Sequence, residues 1–153
     1  MAVTTKITLD LVARTALYSV DLDSVPLSQF LLDTTAQTLT VSSLPLTTVP
    51  LETWANGLYQ SWQFIEVISK VFGNPRVVPP TEYEQEQEYK PSSVRLKFKV
   101  RGVLLSNLLW TKTTDLVVIQ PRLAASITWH EFYYWVQLLR EVADECAWLK
   151  AQR

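Results

Sequence analysis

Residues 82–101 read EYEQEQEYKPSSVRLKFKVR, and this stretch decides the fold. Both halves of the stretch alternate with a period of two, which is typical of β-strands whose side chains point to opposite faces. Lys90-Pro91-Ser92-Ser93 separates the halves, and proline suits the second position of a type I turn. A two-residue primed turn is excluded because proline cannot take a positive φ. The sequence therefore predicts a β-hairpin with a four-residue loop.

The charges of this hairpin predict its register. Four carboxylates face four cations on one side of the ladder: Glu88 with Arg95, Glu86 with Lys97, Glu84 with Lys99, and Glu82 with Arg101. The other side carries the pairs Tyr89–Val94, Gln87–Leu96, Gln85–Phe98 and Tyr83–Val100. A slip of one residue would place glutamates opposite Leu and Phe and would break every charge pair. The free-energy cost of that slip specifies the register. Each cross-strand pair contributes only about 0.2–1 kcal/mol, and less in salt.

The position of the hairpin in the fold has three readings. An isolated hairpin is marginal in water, and Gln85 and Gln87 make its second face too polar for a deep core. It is therefore expected at a sheet edge, or as an arm of about 25 Å that another subunit completes. A disordered Glu/Gln stretch is the third reading. The charges largely cancel, so recognition is expected on the face of Tyr83, Gln85, Gln87 and Tyr89 and at the tip, Pro91.

Two long helices are predicted outside the hairpin. The first runs from about residue 50 to 72, where a narrow polar stripe interrupts apolar residues on all other sides, and Gly73 and Pro75 end it. The second runs from about 129 to 150. Its start carries a capping box, in which Thr128 and Glu131 each satisfy a backbone N–H at the other residue.

The remaining segments predict strands, with two ambiguities. Ile7, Leu9 and Leu11 alternate with polar residues, and a change of phase near residues 14–15 indicates a bulge or bend. Residues 9–20 also fit helical spacing, so strand and helix both remain open there. The motif Val25-Pro26-Leu27 resembles a helix start, and the same triplet recurs at Val49-Pro50-Leu51. Two copies are too few to indicate a repeat array. Short strands are predicted at residues 38–42, 108–110 and 116–119.

The fold class that follows is α+β: one domain over residues 1–153, with a mainly antiparallel sheet, a protruding or edge hairpin, a long central helix and a C-terminal helix. Apolar residues make up 48% of the chain and charged residues 19%, which is a low charge density for a soluble domain. Such a composition is typical of a subunit partly covered by neighbours, and also of a tightly packed monomer.

The sequence argues against catalysis and against bound cofactors or metals. His130 is the only histidine, which excludes a two-histidine metal site and a Ser-His-Asp triad within one chain. Cys146 is the only cysteine, and the three glycines are far apart, unlike phosphate-binding loops. The net charge of −1 favours neither nucleic acid nor an acidic membrane. No catalytic, cofactor-binding or metal-binding residue is therefore predicted, and no small-molecule substrate.

The chain is expected in the cytoplasm where it is made. Its first ten residues alternate and are polar, unlike a signal peptide, and no stretch approaches the roughly 20 apolar residues of a membrane span.

In layout, with a stranded N-terminus, a charged hairpin, few glycines and no catalytic set, the chain resembles small virion structural proteins of tailed bacteriophages, such as neck, tail or baseplate subunits. The resemblance covers general character and no specific motif, so no functional residue is carried over from it. It implies assembly into rings through strand or hairpin exchange, and a place in the virion. Two functions remain open: a structural subunit of a homo-oligomeric or mixed assembly, and a soluble binding or regulatory module acting on one protein partner.

Overall fold

The computed structural model describes residues 3–22, 25–72 and 82–152. The first part of the chain forms β1 (Val3–Asp10), β2 (Thr15–Leu22), β3 (Val25–Asp33), β4 (Thr38–Val41), β5 (Thr47–Pro50) and α1 (Leu51–Phe72). The second part forms β6 (Tyr83–Lys90), β7 (Ser93–Val100), β8 (Val103–Thr111), β9 (Leu116–Ile119), β10 (Ala125–Thr128) and α2 (Trp129–Ala151). Two antiparallel sheets and two helices confirm the predicted α+β class.

The two halves of the chain have the same order of elements, five strands followed by a helix. β2 starts at Thr15 and its counterpart β7 at Ser93, 78 residues later, and every later element keeps that spacing. Even the irregularity in pairing recurs, after Val20 in β2 and after Phe98 in β7. β1 and β6 alone are 80 residues apart, because the first hairpin loop is two residues longer than the second. The fold is therefore an internal structural duplication.

The halves exchange their fifth strands. One sheet has the order β1-β2-β3-β4-β10 and the other β5-β9-β8-β7-β6, so each ends in a strand from the opposite half. The exchanged segments cross at Leu44 and Arg122, which are equivalent residues and form an antiparallel bridge. Their backbone N–H groups donate to each other's carbonyl oxygens at 2.8 and 2.7 Å. Reciprocal pairing of equivalent residues is the mark of an approximate two-fold axis, which passes through this bridge.

The core lies where both sheets meet both helices. Phe132 of α2 is fully buried and contacts aromatic rings of the opposite half, at centroid distances of 5.0 Å from Phe30 in β3 and 6.3 Å from Phe64 in α1. In α1 the buried residues recur with helical spacing: Leu51, Trp54, Leu58, Phe64, Ile65 and Ile68. In the predicted polar stripe Gln60 is half-buried, and the other five residues are exposed: Glu52, Asn56, Gln63, Glu66 and Lys70. Tyr59 is also exposed, at 56%. Burial on several sides explains why α1 is apolar nearly all round.

The structure resolves the two ambiguous segments. Residues 9–20 are neither helical nor bulged: residues 11–14 form a turn between β1 and β2, and the change of phase marks that turn. Asp10 Oδ1 accepts the backbone N–H groups of Val12 and Ala13 at 3.1 and 2.9 Å, which stabilises the turn. The helix start expected at Val25-Pro26-Leu27 is wrong, because these residues open β3. The predicted helix end at Gly73 and Pro75 lies outside the described residues.

Candidate functional site

The hairpin of β6 and β7 has the predicted register. All eight predicted facing pairs apart from Glu82–Arg101 are Cα partners in the ladder, and Arg101 N donates to Glu82 O at 3.0 Å just beyond its end. The ladder also includes Lys90 and Ser93, so the loop is the two residues Pro91 and Ser92 rather than four. Neither has a positive φ, in agreement with the exclusion of a primed turn. The hairpin lies at the edge of its sheet, since β7 also pairs with β8.

The facing charges of the hairpin make other contacts than the predicted ones. Among the described residues, the ion pairs within 4 Å involve Glu88 with Lys90 at 2.8 Å, Asp115 with Lys150 at 2.6 Å, and Arg101 with Glu131. The Lys90 ammonium lowers the pKa of the exposed Glu88 carboxyl. The Arg101 side chain thus forms its ion pair with Glu131, at the start of α2, and not with a glutamate of the hairpin. The predicted partners Glu88 and Arg95, Glu86 and Lys97, and Glu84 and Lys99 face each other in the ladder, but none of these pairs comes within 4 Å as an ion pair.

The second face of the hairpin lies towards α2. The Tyr83 ring stacks on Tyr134 with centroids 4.5 Å apart, and the Gln85 side chain donates to Tyr134 Oη. From there Gln87 Nε2 donates to Gln85 Oε1 at 2.9 Å, and Tyr89 Oη donates to Gln87 Oε1 at 2.6 Å. Burial raises the pKa of Tyr83 to about 12. The Tyr83 end of the expected recognition face is therefore covered by the chain itself, while Gln85, Gln87 and Tyr89 are exposed.

Glu131 connects the hairpin to α2. Its carboxylate accepts the Thr128 backbone N–H at 2.8 Å, and the Thr128 hydroxyl accepts the Glu131 N–H at 3.3 Å, which confirms the capping box. The same carboxylate accepts a hydrogen bond from Arg101. Burial by itself would raise the pKa of Glu131, but the Arg101 and Thr128 donors outweigh it, so the pKa lies below its ordinary value.

The lowered pKa of Glu131 predicts a specific loss of stability in acid. A group whose pKa is lowered on folding stabilises the fold above its unfolded-state pKa, about 4.3, and loses that effect as the pH falls through the folded-state value. Glu131→Gln keeps the capping geometry but removes the charge, so we expect it to cost about 1–2 kcal/mol at pH 7. That cost should shrink towards pH 3. Urea unfolding at both pH values measures it, with the exposed Glu141→Gln as control. A cost equal at the two pH values would contradict the assignment.

The sequence predicted a strand at β1, but it did not place that strand at the exposed edge of the other sheet. Among the described strands, β1 pairs with β2 only, and its residues from Thr4 to Asp10 are all exposed. Ile7 and Leu9 are each 38% exposed, and the adjoining loop carries Leu11 and Val12, at 67% and 97%. Long open edges with few charges readily pair with another strand. The alternation of Ile7, Leu9 and Leu11 was visible in the sequence, but nothing in it indicated that the strand lies at an edge.

A cavity of about 80 Å³ lies on the approximate two-fold axis. It is bounded by α1 and α2 and by both sheets, and several of its lining residues occupy equivalent places in the two halves, such as Leu58 with Val136. Most of the lining is apolar, and the exposed Gln120 marks its rim. Ser106 Oγ, also in the lining, accepts the indole N–H of Trp135 at 2.8 Å. The cavity is therefore an apolar space with few polar groups.

Arg122 is the charged residue of this cavity. It is only 9% exposed, and its guanidinium lies over the Trp135 ring, 5.3 Å from the centroid. Nη2 donates to the Ser42 carbonyl oxygen at 2.9 Å, but Nε is buried without a hydrogen-bond partner. No carboxylate of the described residues lies within 4 Å of it, and burial lowers its pKa to about 10. Sequence reasoning did not identify Arg122 as a buried cation with an unused donor. Its neighbours in the sequence, Pro121 and Leu123, form no recognisable motif with it.

No protein-family model, no curated protein and no solved structure matches this chain. None of the described helices combines the length and apolar character needed to cross a membrane. In the described ranges, no three His, Cys, Asp or Glu side chains come together as metal ligands would.

Proposed function

We propose that the protein is a non-catalytic structural subunit of a larger protein assembly, such as a tailed-phage particle, and that it joins its neighbours through its sheet edges. One observation carries this proposal: each sheet has one long edge strand, β1 or β6, that is eight residues long and almost entirely exposed. Each presents one side of its backbone unpaired by the rest of the described chain. The phage context rests on the resemblance in layout alone.

The β1 edge fits a second copy of the same chain. In an antiparallel two-fold pairing centred on Thr8, Lys6 faces Asp10 of the second copy, and Ile7 faces its Leu9. Opposite charges then meet on one face of the strands and apolar side chains meet on the other. The two five-stranded sheets would become one continuous ten-stranded sheet. A strand that is complementary to itself about one residue is well suited to a symmetric dimer contact.

The β6 edge excludes a second β6 and fits a different partner. Glu84, Glu86 and Glu88 alternate along it, so two antiparallel copies would place like charges close together. A strand carrying lysine or arginine would complement this row. The exposed residues Gln85, Gln87, Tyr89 and Pro91 would complete the contact. We assign this edge, and with it the hairpin of β6 and β7, to attachment of a basic segment from another subunit.

The β6 edge also supports a second function, a soluble binding module acting on one protein partner. A single extended segment added to β6 would satisfy its backbone without any larger assembly. The two functions differ in self-association. The structural subunit forms dimers or larger oligomers through β1, whereas the binding module stays monomeric until its partner is added.

Ile7→Lys tests the β1 contact. A charge in place of Ile7 would face Leu9 of the second copy, so we expect the dissociation constant for self-association to rise at least tenfold, by about 1.4 kcal/mol or more. Sedimentation equilibrium over a range of concentrations measures it. Thr40→Lys adds the same charge to β4, an interior strand of the same sheet, and should leave self-association unchanged. A wild-type chain that stays monomeric at all concentrations would contradict the proposal and favour the binding module.

A further inference from the structure

The cavity on the two-fold axis is lined by a cation, Arg122, that no carboxylate of the described residues neutralises. Arg122 is nine-tenths buried, its Nε has no hydrogen-bond partner, and the described residues provide no carboxylate to pair with it. Removing a guanidinium from water costs several kcal/mol unless a counter-charge or a full set of acceptors replaces the lost solvation. One carbonyl oxygen, that of Ser42, and the face of Trp135 provide only part of that replacement.

The duplicated fold shows that its architecture does not require an arginine here. The equivalent residue in the first half is Leu44, which is 7% exposed and makes the same backbone bridge. The fold therefore accommodates a plain apolar side chain at this place. A buried arginine without a charged partner is an exception to the rule that buried charges are paired, and the fold does not need it, because leucine occupies the equivalent position. Such exceptions are concentrated at functional sites.

We propose that the cavity binds a small carboxylate with an apolar body, and that Arg122 holds its carboxylate group. Nε and a neighbouring Nη present parallel N–H donors, which match the two oxygens of a carboxylate. The Trp135 ring, whose centroid lies 5.3 Å from the guanidinium carbon, packs beside this group and leaves its N–H donors to the carboxylate oxygens. The side chains of Leu58, Leu105 and Val136 then surround the hydrocarbon part of the ligand.

The size and lining of the cavity narrow the ligand class. A water molecule needs roughly 10–15 Å³ of such space, so about 80 Å³ takes on the order of five to eight ligand atoms. A short aliphatic acid such as hexanoate has this size. An inorganic phosphate would carry its second charge into an apolar lining that provides no second cation, and a neutral amide would leave the guanidinium charge uncompensated.

Hexanoate titration of the full chain, followed by calorimetry, tests this proposal. We expect saturable binding of hexanoate and at least tenfold weaker binding of hexanamide and of inorganic phosphate. Arg122→Met keeps the length of the side chain but removes the charge, and should weaken hexanoate binding at least tenfold. Arg95→Met, which removes an exposed cation of β7, should leave binding unchanged. Equal binding of hexanoate and hexanamide, or equal binding by wild type and Arg122→Met, would overturn the proposal.

A second measurement keeps the test valid even if Arg122→Met folds poorly. None of the described residues accepts a hydrogen bond from the Nε–H group of Arg122, so its nitrogen-15 resonance should move downfield when hexanoate binds. Arg122→Lys, which keeps the charge but removes Nε–H from the spectrum, assigns that resonance. No shift of this resonance at saturating hexanoate would overturn the proposal. None of these readouts depends on self-association through β1.

Discussion

Expressing residues 1–77 and 78–153 as separate chains is expected to give two fragments that do not fold as monomers but recover the native structure when mixed. The reason is the exchange of fifth strands. Without β10 the first sheet loses its last strand, and without β5 the second sheet does the same. Each helix would also lose the opposite helix and the opposite aromatic side chains as packing partners. The loss is that of the whole tertiary structure, the largest effect we expect.

Proton NMR of each fragment alone and of the equimolar mixture measures this complementation. The mixture should show dispersed amide and methyl resonances and a 1:1 complex by mass. A single fragment can pair its fifth strand only with a sheet of a second copy of the same fragment. In such a homodimer the bridge between Leu44 and Arg122 would be replaced by a bridge between two identical residues. A dispersed spectrum from either fragment as a monomer would show that the halves do not depend on the exchange.

Phe132→Ala is expected to reduce the free energy of unfolding by about 3–5 kcal/mol, the usual range for removing a buried phenylalanine ring. Phe132 is fully buried and packs against Phe30, Phe64, Trp129 and Trp135, which come from β3 and both helices. Since these neighbours belong to separate elements held on several sides, they cannot easily close the resulting space. A loss of this size is a large part of the stability of an ordinary domain.

Urea unfolding followed by tryptophan fluorescence measures this loss. Trp148→Ala is the matched control, because it also removes an aromatic ring from α2, at a place where the ring is 58% exposed. We expect the control to cost less than about 1 kcal/mol. A similar cost for the two variants would mean that the core does not centre on Phe132.

Local sequence patterns predicted the parts of the fold that depend on local rules. The hairpin register followed from alternation and charge at residues 82–101, and the start of α2 from the pair Thr128 and Glu131. Both signals depend on residues close together in the chain. The predicted loop was too long by two residues, because the pairing of Lys90 with Ser93 depends on turn geometry rather than on charge.

Local sequence patterns could not reveal the internal duplication. Only a few residues recur at a spacing of 78, among them Val25 with Val103 and Ser28 with Ser106, because each half needs only similar burial at equivalent places. The repeated Val-Pro-Leu triplet, 24 residues apart, is unrelated to it: one copy lies in β3 and the other at the start of α1. The helix start expected at Val25 failed because sheet pairing outweighed a local proline preference.

The functional sites depend on long-range structure even more. Arg122 and its hydrogen-bond partner Ser42 lie 80 residues apart in the chain, and the cavity that Arg122 lines is formed by residues of both halves. The β1 edge likewise becomes visible only once the strand order places it outermost. The two halves differ in their surfaces: the β1 edge carries one charge of each sign and is complementary to itself, whereas the β6 edge carries a row of glutamates. That difference is what a subunit with two distinct neighbours requires.

A single cysteine introduced at Thr8 tests the central proposal, assembly through β1, most directly. In the proposed contact Thr8 faces Thr8 of the second copy, and facing residues of antiparallel strands lie about 4.5–5.5 Å apart between Cα atoms, within the range of a disulfide. Cys146 is fully buried and does not compete. We expect Thr8→Cys to form a disulfide-linked dimer on mild oxidation. Thr4→Cys should stay reduced, because its two copies would lie roughly 27 Å apart at about 3.4 Å per residue. Equal cross-linking of the two variants, or none of Thr8→Cys, would contradict the account.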